Sequence, residues 1–262
     1  MSNAAEQQYA EQGIVYLDPK MRIKNYWTQR SHSFAELRIR ELNSVMADRW
    51  LREIAKHIPA GGQLRILDIG TGTGFFAFLL SALGHRVIGI DLTPSMIQEA
   101  KEIGQTLEST AQFRVMDAEK LLFADESFDM VISRNLTWTL PHPQKAYSEW
   151  HRVLKPGGVL LNFDGNYGKA DFTGKGEKLP ENHAHKQIAG ELMQECEAIK
   201  EQLEISYHVR PAWDVTALGE TGFEQIKLDL GISKRIYIEK DEFYNPTPLF
   251  CIAATKNQGS VW

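Results

Sequence analysis

Apolar residues along the chain follow two different periods. Between residue 22 and about residue 58, Phe34, Leu37, Ile39, Leu42, Val45, Trp50, Leu51 and Ile54 recur at roughly helical intervals, which predicts one helical stretch that Pro59-Ala60-Gly61-Gly62 terminates. The period then shortens. Arg65-Ile66-Leu67-Asp68-Ile69 reads as a buried strand feeding a glycine turn and a helix through Phe76, Phe78, Leu79 and Leu80. Arg86-Val87-Ile88-Gly89-Ile90-Asp91 is a second strand, and Thr93-Pro94-Ser95 opens the next helix. This alternation is the grammar of βαβ units.

Further strands are expected at residues 112–116, 128–133 and 159–163, with an amphipathic helix through Ala146, Trp150 and Val153 before Lys155-Pro156-Gly157-Gly158. The repeated return of strand and helix predicts an open α/β sheet whose ligand crevice lies at the carboxyl ends of the strands. Residues 165–183 are rich in glycine and lysine and read as a surface loop. A helix over about 184–205 follows, with Ile188, Leu192, Cys196, Ile199 and Leu203 on one apolar face. With the early helices it is expected to form a helical cap. Residues 222–228 and 249–254 are expected to finish the sheet as an antiparallel pair. The expected organisation is a cap segment over 1–60, a ligand-binding core over 61–165, a cap insertion over 166–210 and completion of the sheet over 211–262.

Composition narrows the partners. A chain of 262 residues buries an enzyme-sized core, and a net charge of −5 with 24% charged residues gives no broad electrostatic reason to expect nucleic acid. Two cysteines, Cys196 and Cys251, exclude a disulfide-rich scaffold, and no spacing of cysteine, histidine and acid suggests a metal. His183 and His185, two positions apart, do not share a helix face. The opening MSNAAEQQYAEQG has no signal-type apolar core, and no stretch approaches the roughly 20 apolar residues of a membrane span. The expectation is a cytoplasmic protein, monomer or homodimer, acting on a small molecule.

The candidate chemistry begins at "LDIGTGTGFF", residues 67–76. Glycines at 70, 72 and 74 permit torsions and close backbone approach that suit a nucleoside-containing ligand. Asp68 is placed either to order the loop amides or to face a cationic ligand group. Gly72 to Ala77 also aligns with the G-x-G-x-x-A form of dinucleotide sites, so the glycines alone leave an NAD(P)-dependent oxidoreductase open. Asp91, after the second strand, is placed to catch ribose hydroxyls, with a helix-capping role as the plain alternative.

Four segments together, "LDIGTGTGFFAFLL", "VIGIDLTPSMIQEA", "FRVMDAEKLLFADESFDMVISRN" and "HRVLKPGGVLLNFD", resemble the class I S-adenosylmethionine-dependent methyltransferases, particularly the small-molecule, UbiE-like group. The resemblance covers about residues 64–164. It implies a Rossmann-like, seven-stranded, mostly parallel sheet with an antiparallel C-terminal strand. It also implies that S-adenosylmethionine is the cofactor and S-adenosylhomocysteine the product. On its pattern the turn of Gly70, Thr71, Gly72 and Gly74 lies against the cofactor, Asp91 binds ribose and Asp117 reads adenine. The chemistry of Asp117 agrees, since a carboxylate accepts from an amino group, with backbone around Ala118 facing the ring edge. Leu92 and Met96 are placed to enclose the base or ribose, and Ser133 and Arg134 stand where the methionine end passes, Arg134 as a partner for a carboxylate. A protein that binds the cofactor without catalysing transfer is a further alternative.

Methyl transfer from a sulfonium needs orientation and exclusion of water more than a catalytic triad, and no catalytic residue is assigned. The acceptor side has several candidates. Trp138 offers an apolar wall or cation–π surface, and His142 a base or an ordinary turn residue between Pro141 and Pro143. Asp164, Asn166 and Tyr167 emerge after a strand, as substrate contacts or as loop polarity. Tyr26, Trp27 and Arg30, in "KNYWTQRSHSF", are placed to close over the pocket or to pack within the helix.

Overall fold

A computed structural model describes residues 18–171, 179–181 and 183–257. The expectations for the first residues of the chain and for the loop glycines Gly174 and Gly176 lie outside the described residues. Seven strands form one sheet, β1 (Arg65–Ile69), β2 (Arg86–Asp91), β3 (Gln112–Val115), β4 (Phe128–Arg134), β5 (Leu154–Gly165), β6 (Phe223–Asp229) and β7 (Leu249–Lys256), in the order β3-β2-β1-β4-β5-β7-β6. Every pairing is parallel except those of β7, which runs antiparallel to both β5 and β6. The expected sheet is therefore the observed one. From β1 the chain steps outward through β2 to β3 and returns to β4 on the other side of β1, which opens a crevice between the carboxyl ends of β1 and β4.

The strands read as continuous apolar runs because both faces of the sheet are covered. Period-two alternation still sorts them: Ile66, Met130, Ile132, Leu161, Phe163, Cys251 and Ala253 face one core, and Leu67, Val131, Leu160, Phe250, Ile252 and Ala254 face the other. The first core is covered by α1 (Pro19–Leu42), α2 (Val45–Ala55), α3 (Phe75–Ala82), α4 (Pro94–Thr106) and α6 (Gly190–Gln202). The second is covered by α5 (Pro143–Val153) and α7 (Ala212–Thr221). A short α8 (Ile232–Ile236) contributes Ile232 and Ile236 to the first core. Helix α1 lies against both α4 and α6, which puts it over the crevice.

Three expectations change. The early helical stretch is two helices, because Ser44 takes an extended backbone (φ −118°, ψ 173°) and its hydroxyl caps Met46 N–H at 3.1 Å. The expected helix over 184–205 is interrupted at both ends. Residues Ala184–Gln187 and Glu204–Tyr207 are 3₁₀ turns, and Ala189 and Leu203 are extended on either side of α6. Its apolar spacing continued across these breaks, so periodicity alone did not mark them. Finally, α7 was not foreseen: its buried face carries Asp214, fully buried beside Ala217 and Leu218, which disguises the apolar stripe.

Trp150 on α5 is fully buried, packs edge-on to Tyr147 with ring centroids 5.4 Å apart, and donates its indole N–H to the Ala118 carbonyl at 3.1 Å. It thereby ties the helix to the loop that carries Asp117. Trp150→Ala leaves a cavity and an orphaned carbonyl, with an expected loss of about 3–5 kcal/mol of unfolding free energy. Urea denaturation measures it; a loss under ~1 kcal/mol with an unchanged slope would contradict this anchoring role.

Candidate functional site

The site starts where β1 runs out. Gly70 (φ +68°) and Gly72 (φ +54°) are left-handed, and a Cβ on Gly70 would stand 2.8 Å from Leu136 while one on Gly72 would stand 3.1 Å from the Phe34 ring. The turn is sutured to β2 by Thr71 N–H donating to the Ile90 carbonyl at 2.9 Å. Asp91, at the end of β2, fixes it from below: one carboxylate oxygen accepts Gly72 N–H at 3.1 Å and the other accepts Thr93 N–H at 2.8 Å, at the start of α4. Burial raises the Asp91 carboxyl above its ordinary range against these two donors.

Asp68 lies under the same turn, 2% exposed, and accepts the Thr71 hydroxyl at 2.6 Å. Burial pushes its carboxyl up to about 7, with the neighbouring Asp91 charge adding to the effect and the Thr71 hydrogen bond opposing it. After β3, Asp117 accepts Glu119 N–H at 2.9 Å and the Lys20 ammonium at 2.6 Å, and Lys20 is also 2.6 Å from a Glu119 carboxylate oxygen. Lys20 comes from the first turn of α1, so the entrance of the crevice is laced to the helix above it.

These strand-end residues line a cavity roofed by one face of α1. Tyr26, Trp27 and Arg30 reach it, as do Phe34 and Arg38 from the following turns. Asp68, Gly70, Thr71, Gly72, Asp91 and Leu92 line it from the sheet side, with Met96, Asp117 and Ala118 beyond them. Arg134, Trp138 and Tyr167 complete the opposite wall. Tyr167 is held by both atoms of its hydroxyl, donating to the Asn135 side chain at 3.0 Å and accepting from Asn245 at 2.6 Å. Its ring lies 4.9 Å from that of Trp138.

Five candidates stand away from the cavity wall. Gly74 (φ +93°) is the residue before α3. Ser133 is fully buried and donates to the Ile69 carbonyl at 2.9 Å, a strand-to-strand bond. His142 precedes α5, and its backbone N–H donates to Glu119 at 2.7 Å. Asp164 is neither loop polarity nor a cavity group: β5 continues to Gly165 and carries it into the interior. There, fully buried, it accepts the Trp138 N–H at 3.1 Å, the Thr137 hydroxyl and the Arg210 guanidinium. Asp214 pairs with the same arginine at 2.7 Å. The Asn166 side-chain amide donates to the Arg210 carbonyl at 3.4 Å.

Arg134 keeps its place on the wall with a partner of its own. It donates to the fully buried Glu41 at 2.9 Å and lies over the Trp50 ring at 4.3 Å. Arg38 pairs with the same carboxylate. Burial pushes Glu41 up, but the two guanidiniums outweigh it and hold the carboxyl below the ordinary range. Two cations thus share one anion beside the glycine turn.

Lys20, Phe34 and Arg38 were missed, although their spacing carried a signal: positions 23, 26, 27, 30, 34, 37 and 38 fall on one helical face. Tyr237, Phe243, Tyr244 and Asn245 also line the cavity. They come from a connection with little regular structure, where no local pattern announces them. Among the described residues no group of three or more histidine, cysteine or acidic side chains is placed to hold a metal, and no helix is long and apolar enough to cross a membrane.

Comparison with known proteins agrees with the geometry. A methyltransferase domain family matches residues 67–162. A phosphatidylethanolamine N-methyltransferase of Cereibacter sphaeroides is 40% identical over 114 residues, 42% of this chain and 54% of the relative. A ubiquinone biosynthesis O-methyltransferase of the same species is 31% identical over 130 residues, 50% of this chain and 52% of the relative. The chain spans about half the length of these relatives. The structure of Haemonchus contortus phosphoethanolamine N-methyltransferase 2 in complex with S-adenosyl-L-methionine superposes with a TM-score of 0.56 at 23% identity, covering 80% of this chain and 53% of that one. Residues 67–162 thus match a methyltransferase domain, on a sheet with the strand order and fold of the class I S-adenosylmethionine-dependent methyltransferases.

Proposed function

We propose that the protein transfers a methyl group from S-adenosylmethionine to a small-molecule acceptor and releases S-adenosylhomocysteine, as a member of the small-molecule, UbiE-like group. The observation that carries this reading is convergence: the ends of β1, β2 and β3 present Gly70 and Gly72, Asp91, and Asp117 to one cavity under α1. A Cβ at Gly70 or Gly72 would meet Leu136 or Phe34, so packing and left-handed backbone both call for glycine at these two positions on the cavity lining. In this reading residues 61–165 form the donor-binding core, residues 1–60 and 166–210 the cap, and residues 211–262 the completion of the sheet.

Bound S-adenosylmethionine supplies an electrophilic methyl on a sulfonium that is also the leaving group. The protein's own residues bind, orient and exclude water. Asp91 is assigned to the ribose hydroxyls and Asp117 to the adenine amino group, with Leu92, Met96 and Ala118 as apolar walls. Arg38 and Arg134, two cations on the single carboxylate of Glu41, leave one positive charge for the donor's carboxylate. Asp68 offers a carboxylate toward the cationic end. The acceptor is assigned to the wall of Tyr26, Trp27, Trp138 and Tyr167. Burial raises the Tyr167 phenol well above its ordinary range, so it serves as a neutral hydrogen-bonding wall and not as a base.

Isothermal titration tests the donor site. Wild-type protein is expected to bind S-adenosylmethionine and S-adenosylhomocysteine and not NAD, and Asp91→Ala to weaken donor affinity at least about tenfold, the worth of one lost charge-assisted contact. Unchanged affinity in a variant with an unchanged circular dichroism spectrum would remove Asp91 from the site.

The elevated Asp68 carboxyl gives a pH dependence with a definite sign. A group poised at about 7 is mostly protonated at pH 6 and mostly ionised at pH 8, and only the ionised form attracts the donor's sulfonium. Affinity is therefore expected to rise several-fold from pH 6 to pH 8, and the Asp68→Asn variant to lose that rise. Equal slopes in the two proteins would show that Asp68 does not face the cationic end.

A further inference from the structure

Arg30 stands in a charge environment unlike that of any other deeply buried cation among the described residues. Two arginines are more than nine-tenths buried: Arg210, 5% exposed, and Arg30, 8% exposed. Arg210 is neutralised twice, by Asp214 at 2.7 Å and Asp164 at 3.2 Å. Arg30 has no carboxylate within ion-pairing distance among the described residues. Among the described residues its one side-chain hydrogen bond runs from Nη1 to the Tyr26 hydroxyl at 3.1 Å, and its buried Nε has no acceptor.

The surrounding groups supply no hidden counter-charge. Cys196, on α6, lies beside Arg30 and Tyr26, and burial pushes its thiol up to about 11, so it stays a neutral thiol at physiological pH. Burial raises the Tyr26 phenol as well. A buried guanidinium with neutral neighbours carries a desolvation cost that no ion pair among the described residues offsets. The cost is withdrawn if an anion enters the cavity that Arg30 lines. The donor's carboxylate already has its excess cation in the cluster of Arg38, Arg134 and Glu41 beside the glycine turn. Arg30 is a second and separate positive site, two helical turns before Arg38 on the same face of α1 and next to the aromatic wall.

We propose that Arg30 is the anion-binding residue of the acceptor site, and that the acceptor is a small molecule carrying a carboxylate or phosphate on an apolar or aromatic body. This rests on the reading of the cavity as a joint donor and acceptor site. The Arg30 guanidinium anchors the anion, while Tyr26, Trp27 and Trp138 enclose the body. Anchoring at Arg30 places the choice of acceptor charge on α1, while Asp91 and Asp117 at the strand ends stay with the donor.

The test uses full-length protein saturated with S-adenosylhomocysteine and titrated with benzoate, phenyl phosphate and the neutral benzyl alcohol. Either anion is expected to bind at least tenfold more tightly than benzyl alcohol, and whichever of the two binds better names the anionic group. Arg30→Met is expected to abolish that preference, Arg30→Lys to retain part of it, and S-adenosylhomocysteine affinity to stay within about twofold in both variants. Thermal melting is expected to show Arg30→Met at least as stable as the wild type, since the substitution removes an uncompensated buried charge. The proposal falls if the wild type shows no preference for the anions, if Arg30→Met retains it, or if Arg30→Met loses S-adenosylhomocysteine binding while still binding the anions. Failure of the wild type to bind S-adenosylhomocysteine strikes the donor reading instead, and the anion preference is then read on the protein without it.

Discussion

The carboxylate of Asp91 holds together the part of the molecule on which everything else is hung. Its two oxygens accept N–H groups from Gly72 and Thr93, so one side chain ties the turn after β1 to the start of the helix after β2. The turn needs such a tie because Gly70 and Gly72 are left-handed and the latter faces the Phe34 ring at the limit of contact. A left-handed glycine turn has few intrinsic restraints, since glycine forfeits more conformational freedom on ordering than any other residue. Fixing it with a buried acceptor gives the crevice a rigid floor.

That floor sets the position of the roof. Phe34 packs on Gly72 from above, Lys20 clasps Asp117 and Glu119, and Glu41 accepts Arg134 from the end of β4 at 2.9 Å. Helix α1 is thus seated by its own polar and aromatic side chains on the strand ends, and the cavity is what remains between them. The buried charges follow a consistent logic. Arg210 with Asp164 and Asp214 braces the segment from Thr137 to Trp138 from the side away from the cavity. Glu41 serves two arginines at the turn. Lys20 on the cavity wall meets two carboxylates, whereas Arg30 on the same helix has no carboxylate partner among the described residues.

Much of this was legible in the sequence because it is local. A strand ending in a carboxylate, a run of glycines and a helix start occupy a dozen consecutive residues, and the same holds for Asp91 with Thr93-Pro94 and for Asp117. The sheet followed from the alternation of such units, and even the antiparallel β7 was marked by its apolar run. What sequence did not disclose was of two kinds. Breaks within periodic stretches, at Ser44 and Ala189, depended on single backbone conformations that leave the apolar spacing intact. The fate of polar side chains after strands depended on where each strand stopped: Asp164 looked like a loop residue because β5 was expected to end at Phe163, and two further residues of pairing with β7 place it in the interior.

The rest of the cavity wall was least legible for a third reason, which is topological. Its residues come from α1, from the segment after β4, from the short turn after β5, from α6 and from the connection between β6 and β7. They are scattered from Ile23 to Asn245, and no spacing among them identifies the set. A cavity floor assembled at successive strand ends is written as a series of motifs, whereas a wall assembled between a roof and a sheet exists only after both have packed. The two are built by different contacts: the Asp91 clamp closes among the strand ends, whereas the wall is set by how α1 and the later segments pack over them.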